Sequence, residues 1–258
     1  MNRMEKVFGE MQKAGKKILV GYFPLCDPEL ADQVEWAGKY FSNGVTVLEM
    51  GLPYEEPCYD GKVVRDSMER ALKEHDVNDA FDTISELRKA YPDKILQVMT
   101  YFEIINKMGI KEFAKRCFDS GADAVLSPNI PPERMAELDS ALAEYDLINL
   151  RFAPYCLNEE VIADLKKNAK GYIFQQAVNG VTGAQKTTSP QVGINVKLLK
   201  NNGIKTPVLG GFGISNPQQV GQMKEMGTDG VIVGSAIISA IINCKGEEFI
   251  GQLRGALE

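Results

Sequence analysis

The sequence predicts an α/β protein, a (β/α)8 TIM barrel with an extra N-terminal helix. Its 258 residues match the roughly 250 of a typical eight-fold barrel and sit near the upper limit of one hydrophobic core. Apolar runs of strand length alternate with longer amphipathic segments from end to end. The runs are rich in Val, Ile and Leu without polar alternation, the pattern of strands covered on both faces in a parallel sheet. An open, doubly wound sheet is the competing architecture, and eight such units in this length favour closure. Residues 1–258 are expected to form a single barrel domain, because no stretch reads as a linker or as low complexity.

The elements follow in order. Residues 2–14 read as the extra helix, with Met4, Val7, Phe8 and Met11 on one face. Strands are expected over Ile18–Tyr22, Val45–Glu49, Ile95–Tyr101, Ala124–Ser127, Ile148–Phe152, Gly171–Gln175, Pro207–Gly210 and Gly230–Val233. Helices are expected near 28–42, 63–74, 77–91, 109–120, 131–144, 158–168, 191–201, 216–226 and 245–257, with a short apolar helix after Val233. An internal echo supports the repeat. Gly44-Val-Thr-Val-Leu48, Gly121-Ala-Asp-Ala-Val125 and Gly227-Thr-Asp-Gly-Val231 each place a glycine between a helix and a strand, where a left-handed residue ends the helix.

Composition excludes several classes of function. The chain carries 29 Lys+Arg against 35 Asp+Glu, for a net charge of -6, and has no basic run. Nucleic acid and membrane are therefore not expected as partners. A single histidine, His75, rules out multi-His zinc and two-His iron sites within one chain, and no metal is expected. The five cysteines are odd in number and scattered, as free thiols of a reduced compartment are. The charged N-terminal residues do not read as a signal peptide, and no apolar stretch reaches the length of a membrane span. A cytoplasmic location is the expectation.

Barrel enzymes work at the C-terminal ends of their strands. Glu49 falls where the second apolar run meets its loop, and Asp60 closes that loop. A carboxylate at a half-buried strand end is a candidate general acid/base, because desolvation raises its pKa toward neutrality. A Glu satisfied by a neighbouring lysine or backbone donor is the alternative at this point. Gly-rich segments follow the sixth, seventh and eighth runs: Asn179–Ala184, Leu209–Ser215 and Val233–Ala236. Glycines there let an anion approach backbone N–H groups and a helix N-terminus, the usual phosphate site of a barrel. No lysine ends a predicted strand, so a Schiff-base nucleophile is missing from its usual place. His75 follows a charged helical segment and reads as exposed. Cys26 and Cys58 fall in loops of the active face, with nothing nearby to activate a thiolate. Phosphate-anchored chemistry run by carboxylates remains.

These pieces together resemble a known family. Glu49-Met-Gly51, Pro53, Pro57 and Asp60-Gly61 resemble the catalytic signature of tryptophan synthase α subunits. Leu25-Cys-Asp-Pro28 resembles their first loop, and Gly180-Val-Thr-Gly183, Gly211-Phe-Gly-Ile214 and Gly234-Ser235 their sixth, seventh and eighth. The resemblance implies retro-aldol cleavage of indole-3-glycerol phosphate to indole and glyceraldehyde 3-phosphate. It makes Glu49 the proton shuttle and Asp60 the group that stabilises charge at the indole N–H. It assigns the phosphate to Gly183, Gly213, Gly234 and Ser235. It assigns the substrate pocket to Tyr22, Tyr101, Leu126, Phe174, Thr182 and Phe212. It further implies a tryptophan synthase β subunit as partner in an α2β2 assembly. Pyridoxal phosphate is expected only in that partner, and no cofactor in this chain.

The departures from the family pattern cluster. Where the family commonly has Pro-Phe-Ser-Asp-Pro, this chain has Pro53-Tyr-Glu-Glu-Pro57, followed by Cys58, Tyr59 and, after Asp60-Gly61, Lys62. Glu103 stands in the Tyr-x-Asn position, Cys26 in that of a glycine, and Gln185 near that of an arginine. Most lie in loops 2, 3 and 6, which in the family close over substrate and face the β subunit. Two other readings stay open on sequence: a stand-alone or repurposed lyase or isomerase for a related phosphorylated substrate, and a non-catalytic subunit that senses phosphate.

Overall fold

A computed structural model describes residues 2–177 and 189–258. Among these, nine strands form one sheet: β1 (Ile18–Pro24), β2 (Val47–Gly51), β3 (Ile95–Met99), β4 (Ala124–Leu126), β5 (Ile148–Asn149), β6 (Arg151–Ala153), β7 (Ile173–Gln176), β8 (Val208–Gly211) and β9 (Gly230–Val233). Every pairing is parallel, in the order β5-β4-β3-β2-β1-β9-β8-β7-β6. The two ends of that order, β5 and β6, are separated in the chain by Leu150 alone. One half of this interrupted strand pairs with β4 and the other with β7, so eight barrel strands close on themselves.

Twelve α-helices surround the described strands: α1 (Arg3–Lys13), α2 (Gln33–Ser42), α3 (Lys62–Ala71), α4 (Val77–Ala90), α5 (Phe102–Met108), α6 (Ile110–Ser120), α7 (Pro132–Ala143), α8 (Glu159–Asn168), α9 (Gln191–Asn201), α10 (Pro217–Glu225), α11 (Ser235–Ile242) and α12 (Gly246–Leu257). None of the helices in the described residues is long and apolar enough to cross a membrane.

Strand geometry divides the core in two. Alternate residues such as Val20, Val47, Ile95, Leu126, Phe174 and Ile232 point inward and fill the barrel. Their neighbours, among them Leu19, Leu48, Leu96, Val125, Ile173 and Val231, pack outward against the helices. Burial on both faces explains the unalternating apolar runs. Helix α1 closes the barrel from below. Met4 and Phe8 join the inner core, with Val7 and Met11 packed against it, and the Phe8 ring lies 6.4 Å from that of Tyr172. Asn2 caps α1 by accepting from the Met4 N–H at 2.9 Å. Its amide also donates to the carbonyls of Asp123 and Asp146, which ties the helix to the loops beneath the sheet.

The internal echo is one structural device used three times. Gly44, Gly121 and Gly227 have φ of 94°, 86° and 88°. At each, the N–H one residue later bonds five residues back, Val45 to Tyr40, Ala122 to Cys117 and Thr228 to Met223, the helix-ending Schellman arrangement. The third residue of each echo then starts the ladder. Its side chain accepts an N–H at the start of the preceding strand, from its first or second residue: Thr46 from Leu19, Asp123 from Leu96 and Asp229 from Val208.

Three expectations are corrected. The helix expected over 28–42 is a 3-10 turn, Pro28–Leu30, followed by α2, each with its own aspartate cap, Asp27 and Asp32. A helix not foreseen, α5, precedes α6, and Gly109 at φ 89° breaks the two apart. The second strand starts at Val47, because Val45 still closes the end of α2. Glu49 therefore lies in mid-strand rather than at the strand's end.

Candidate active site

At the C-terminal ends of the strands lies a cavity. Glu49 and Asp60 both line it. Glu49 is 4% exposed and sits in an inward-facing row with Tyr22 of β1 and Gln97 of β3, its register partners on either side. Gln97 Nε2 donates to Glu49 Oε1 at 2.9 Å. Burial pushes the Glu49 carboxyl up to about 8, the Asp60 charge adds to the rise, and the Gln97 hydrogen bond opposes it. The environment anticipated for a half-buried carboxylate is thus present, and the burial is deeper than the sequence suggested.

Asp60 is carried by the loop between β2 and α3 and is also buried, at 3% exposed. It accepts from Tyr101 Oη at 2.7 Å. The same phenol oxygen accepts the Tyr59 N–H at 3.1 Å, and the Tyr101 ring stacks on Tyr54 at 5.1 Å. Tyr101 was expected in the substrate pocket. It stands instead behind Asp60, fully buried and off the cavity wall, and latches the second loop to the end of β3. Burial and the Asp60 charge hold its phenol well above the usual range.

Tyr22, Leu126, Phe174 and Phe212 line the cavity. Phe174 and Phe212 form an aromatic wall with Phe152, the three ring centroids 5.2 to 5.9 Å apart. Phe152 was missed in the sequence because it looked like the last apolar residue of an ordinary strand. The wall needs Gly211, where an added Cβ would lie 2.4 Å from the Phe174 ring. The Tyr22 hydroxyl is buried and has no hydrogen-bond partner among the described residues.

Glycines and a helix N-terminus form another part of the cavity wall. Phe212 and Gly213 follow β8 with φ of 73° and 81°, a left-handed turn that is strained at the phenylalanine. Gly213, Gly234 and Ser235 line the cavity. Helix α11 starts at Ser235, so its N-terminus faces the same space. Among the described residues the buried Ser235 hydroxyl has no partner, which leaves a donor beside helix-terminal N–H groups. Gly183 and Thr182, the remaining site residues expected, lie outside the described residues.

Other candidates sit elsewhere. His75 is 45% exposed and pairs with Asp79 at 3.5 Å. The Cys26 thiol is buried, and burial raises its pKa, the opposite of activation. Among the described residues no three His, Cys, Asp or Glu side chains come together as metal ligands would.

Comparison with known proteins decides the family. The model of the family described as tryptophan synthase alpha chain matches residues 8–252. The chain belongs to the tryptophan synthase alpha chain family. It is 32% identical to the alpha chain of Caldicellulosiruptor saccharolyticus over all of both chains. It is 30% identical to that of Vibrio parahaemolyticus over 93% of this chain and 90% of the relative. A solved tryptophan synthase subunit alpha from Legionella pneumophila superposes with a TM-score of 0.89 at 25% identity, covering 100% of this chain and 98% of the other. A chain of Mycobacterium tuberculosis tryptophan synthase gives 0.87 at 25% identity, covering 99% and 98%.

Within this tryptophan synthase alpha chain fold, several departures from the family pattern lie on the outside of the active face. Glu55, Glu56, Lys62 and Glu103 are exposed. Glu103 accepts from Asn129 at 2.8 Å, and Lys62 pairs with Asp66 at 2.7 Å. Two further departures are not exposed: Cys26, which is buried, and Tyr59, which packs edge-on against Phe152 at 6.2 Å and lines the cavity. Gln185 lies outside the described residues.

Proposed function

We propose that this chain cleaves indole-3-glycerol phosphate to indole and glyceraldehyde 3-phosphate, with Glu49 and Asp60 as its catalytic residues. One observation carries the assignment: two buried carboxylates share one cavity with a helix N-terminus and a serine hydroxyl that has no partner among the described residues. The aromatic wall of the same cavity suits an indole ring.

The chemistry follows from these positions. Protonated Glu49 gives its proton to indole C3, which turns the ring into an iminium-like electron sink. Asp60, as carboxylate, accepts from the ring N–H and stabilises the positive charge that develops there. Glu49, now ionised, takes the proton from the hydroxyl on the carbon attached to C3. The bond between that carbon and C3 breaks. Its electron pair returns to the ring, regenerating indole, and the hydroxyl-bearing carbon becomes the aldehyde. Glu49 ends protonated, as it began. A group that both gives and takes a proton works best with a pKa close to the working pH, and burial brings Glu49 there. Phosphate held by Gly213, Gly234 and Ser235, with Gly183 as a further ligand, anchors the substrate at the other end.

The chain itself is read as needing no cofactor, and a pyridoxal-phosphate β subunit in an α2β2 complex as the consumer of its indole. Membership of the alpha chain family supports this reading. The test is Glu49→Gln. We expect it to lower kcat for indole release by about 10³-fold or more while leaving affinity for glycerol 3-phosphate nearly unchanged. Retention of most of the rate would contradict the shuttle role.

A further inference from the structure

Gln97 is an unusual occupant of its position. The inward layer beneath it is apolar, with Val47 and Ile95 in the inner core, yet this fully buried site holds a primary amide. Burying an amide is costly unless its polar atoms are bonded. Neither of its recorded bonds goes to the backbone. Nε2 donates to Glu49 Oε1 at 2.9 Å, and Oε1 accepts from Tyr172 Oη at 2.6 Å. Tyr172 reaches across from the residue before β7, fully buried, and its ring rests on Phe8 of the helix that plugs the barrel. An amide oxygen can only accept and the phenol here donates, so Tyr172 fixes which end of the amide faces the carboxylate.

We infer that Gln97 is the positioning residue of Glu49, its amide pinned by Tyr172 so that the carboxyl is held in the orientation from which it exchanges a proton with substrate. This rests on the reading of Glu49 as proton shuttle. The titratable and charged groups around Glu49 are Asp60 from the second loop, Tyr22 from β1 and Tyr172 from the far side of the barrel. Among the described residues, Gln97 is the one that bonds it and favours its ionised form. Removing that bond has two consequences. Glu49 loses its fixed orientation, and its proton is held more tightly, because burial and the Asp60 charge are then unopposed.

The experiment measures indole release by the full chain as a function of pH for wild type, Gln97→Met, Tyr172→Phe and the double variant. Methionine keeps the length and removes the hydrogen bond, and phenylalanine keeps the ring on Phe8. For Gln97→Met we expect kcat to fall about 10- to 100-fold with KM within about two-fold, the worth of one hydrogen bond to a charged group. The limb on which activity is lost with rising pH should move up by about one to two pH units. Tyr172→Phe should show both changes in weaker form. The double variant should be no worse than Gln97→Met, since both act through one bond chain. A purely structural role lowers stability and leaves the pH limb where it is. An unchanged limb and kcat in Gln97→Met, or fully additive effects in the double variant, would overturn the inference. If Gln97→Met does not fold, Tyr172→Phe decides alone, and an unmoved limb overturns it. A wild-type chain that releases no indole sinks the functional reading instead, so the two failures are distinct.

Discussion

Glu49 combines a buried carboxyl with the proton-transfer task proposed for it, and its protonation is also a stability variable. Its pKa rises from 4.5 to about 8 on folding, so the folded state binds the proton more tightly than the unfolded one. The stability this contributes is full below about 4.5 and is lost as pH rises through about 8. Glu49→Gln, which keeps a neutral side chain at all pH values, should therefore stabilise the fold increasingly between those limits, by on the order of 2 to 4 kcal/mol at pH 9. Denaturant unfolding at pH 4.5 and pH 9 measures the difference, and equal effects at both would contradict the raised pKa. Tyr101→Phe removes the donor to Asp60 and the acceptor for the Tyr59 N–H. A loss of one hydrogen bond to a charged group corresponds to about 10- to 100-fold in kcat/KM, and steady-state kinetics with wild-type-like thermal stability would confirm that the effect is local. Asp60 and the glycines after the last two strands were legible in the sequence because each sits in a loop after an apolar run, and Glu49 because it is a carboxylate inside one. Gln97 and Tyr172 were not. Their partners lie 48 and 75 residues away, and a glutamine inside an apolar run carries no sign of what stands across the barrel from it.

At the scale of elements, the repeated helix-to-strand junction was the most legible feature. Its glycine, its third polar residue and the apolar residues that follow are all local, and each has a local job. The glycines are nevertheless not equivalent. A Cβ at Gly121 would meet the Arg88 side chain at 2.5 Å, whereas at Gly227 its nearest neighbour would be a Val196 methyl at 3.9 Å. Gly227→Ala should cost about 1–2 kcal/mol, the price of a left-handed alanine alone. Gly121→Ala should cost more, because Arg88 must move while it is bonded to the Gly121 carbonyl and to Asp123. Equilibrium denaturation of both variants ranks them, and equal losses would contradict the steric difference. The elements that escaped notice fail for the opposite reason. Helix α5 is too short for a helical period to show, and it starts directly from a strand end. The split of the 28–42 segment follows from two side-chain caps, Asp27 and Asp32, placed five residues apart.

At the scale of the whole molecule, barrel closure is what makes a site of these scattered residues. Strand β1 pairs with both β2 and β9, and so brings the carboxylates of the second βα unit to the same cavity as the glycines and serine of the seventh and eighth. The exposed acidic residues Glu55, Glu56 and Glu103 lie on the same face as that cavity and leave its buried lining unaltered. The measurement that bears most directly on the account is release of indole from indole-3-glycerol phosphate by the purified chain, with and without a tryptophan synthase β chain. We predict turnover by the chain alone, accelerated when the β chain is added and lost in Glu49→Gln under both conditions. No indole under either condition, with phosphate-ligand binding intact, would contradict the assignment of this cavity as a lyase site.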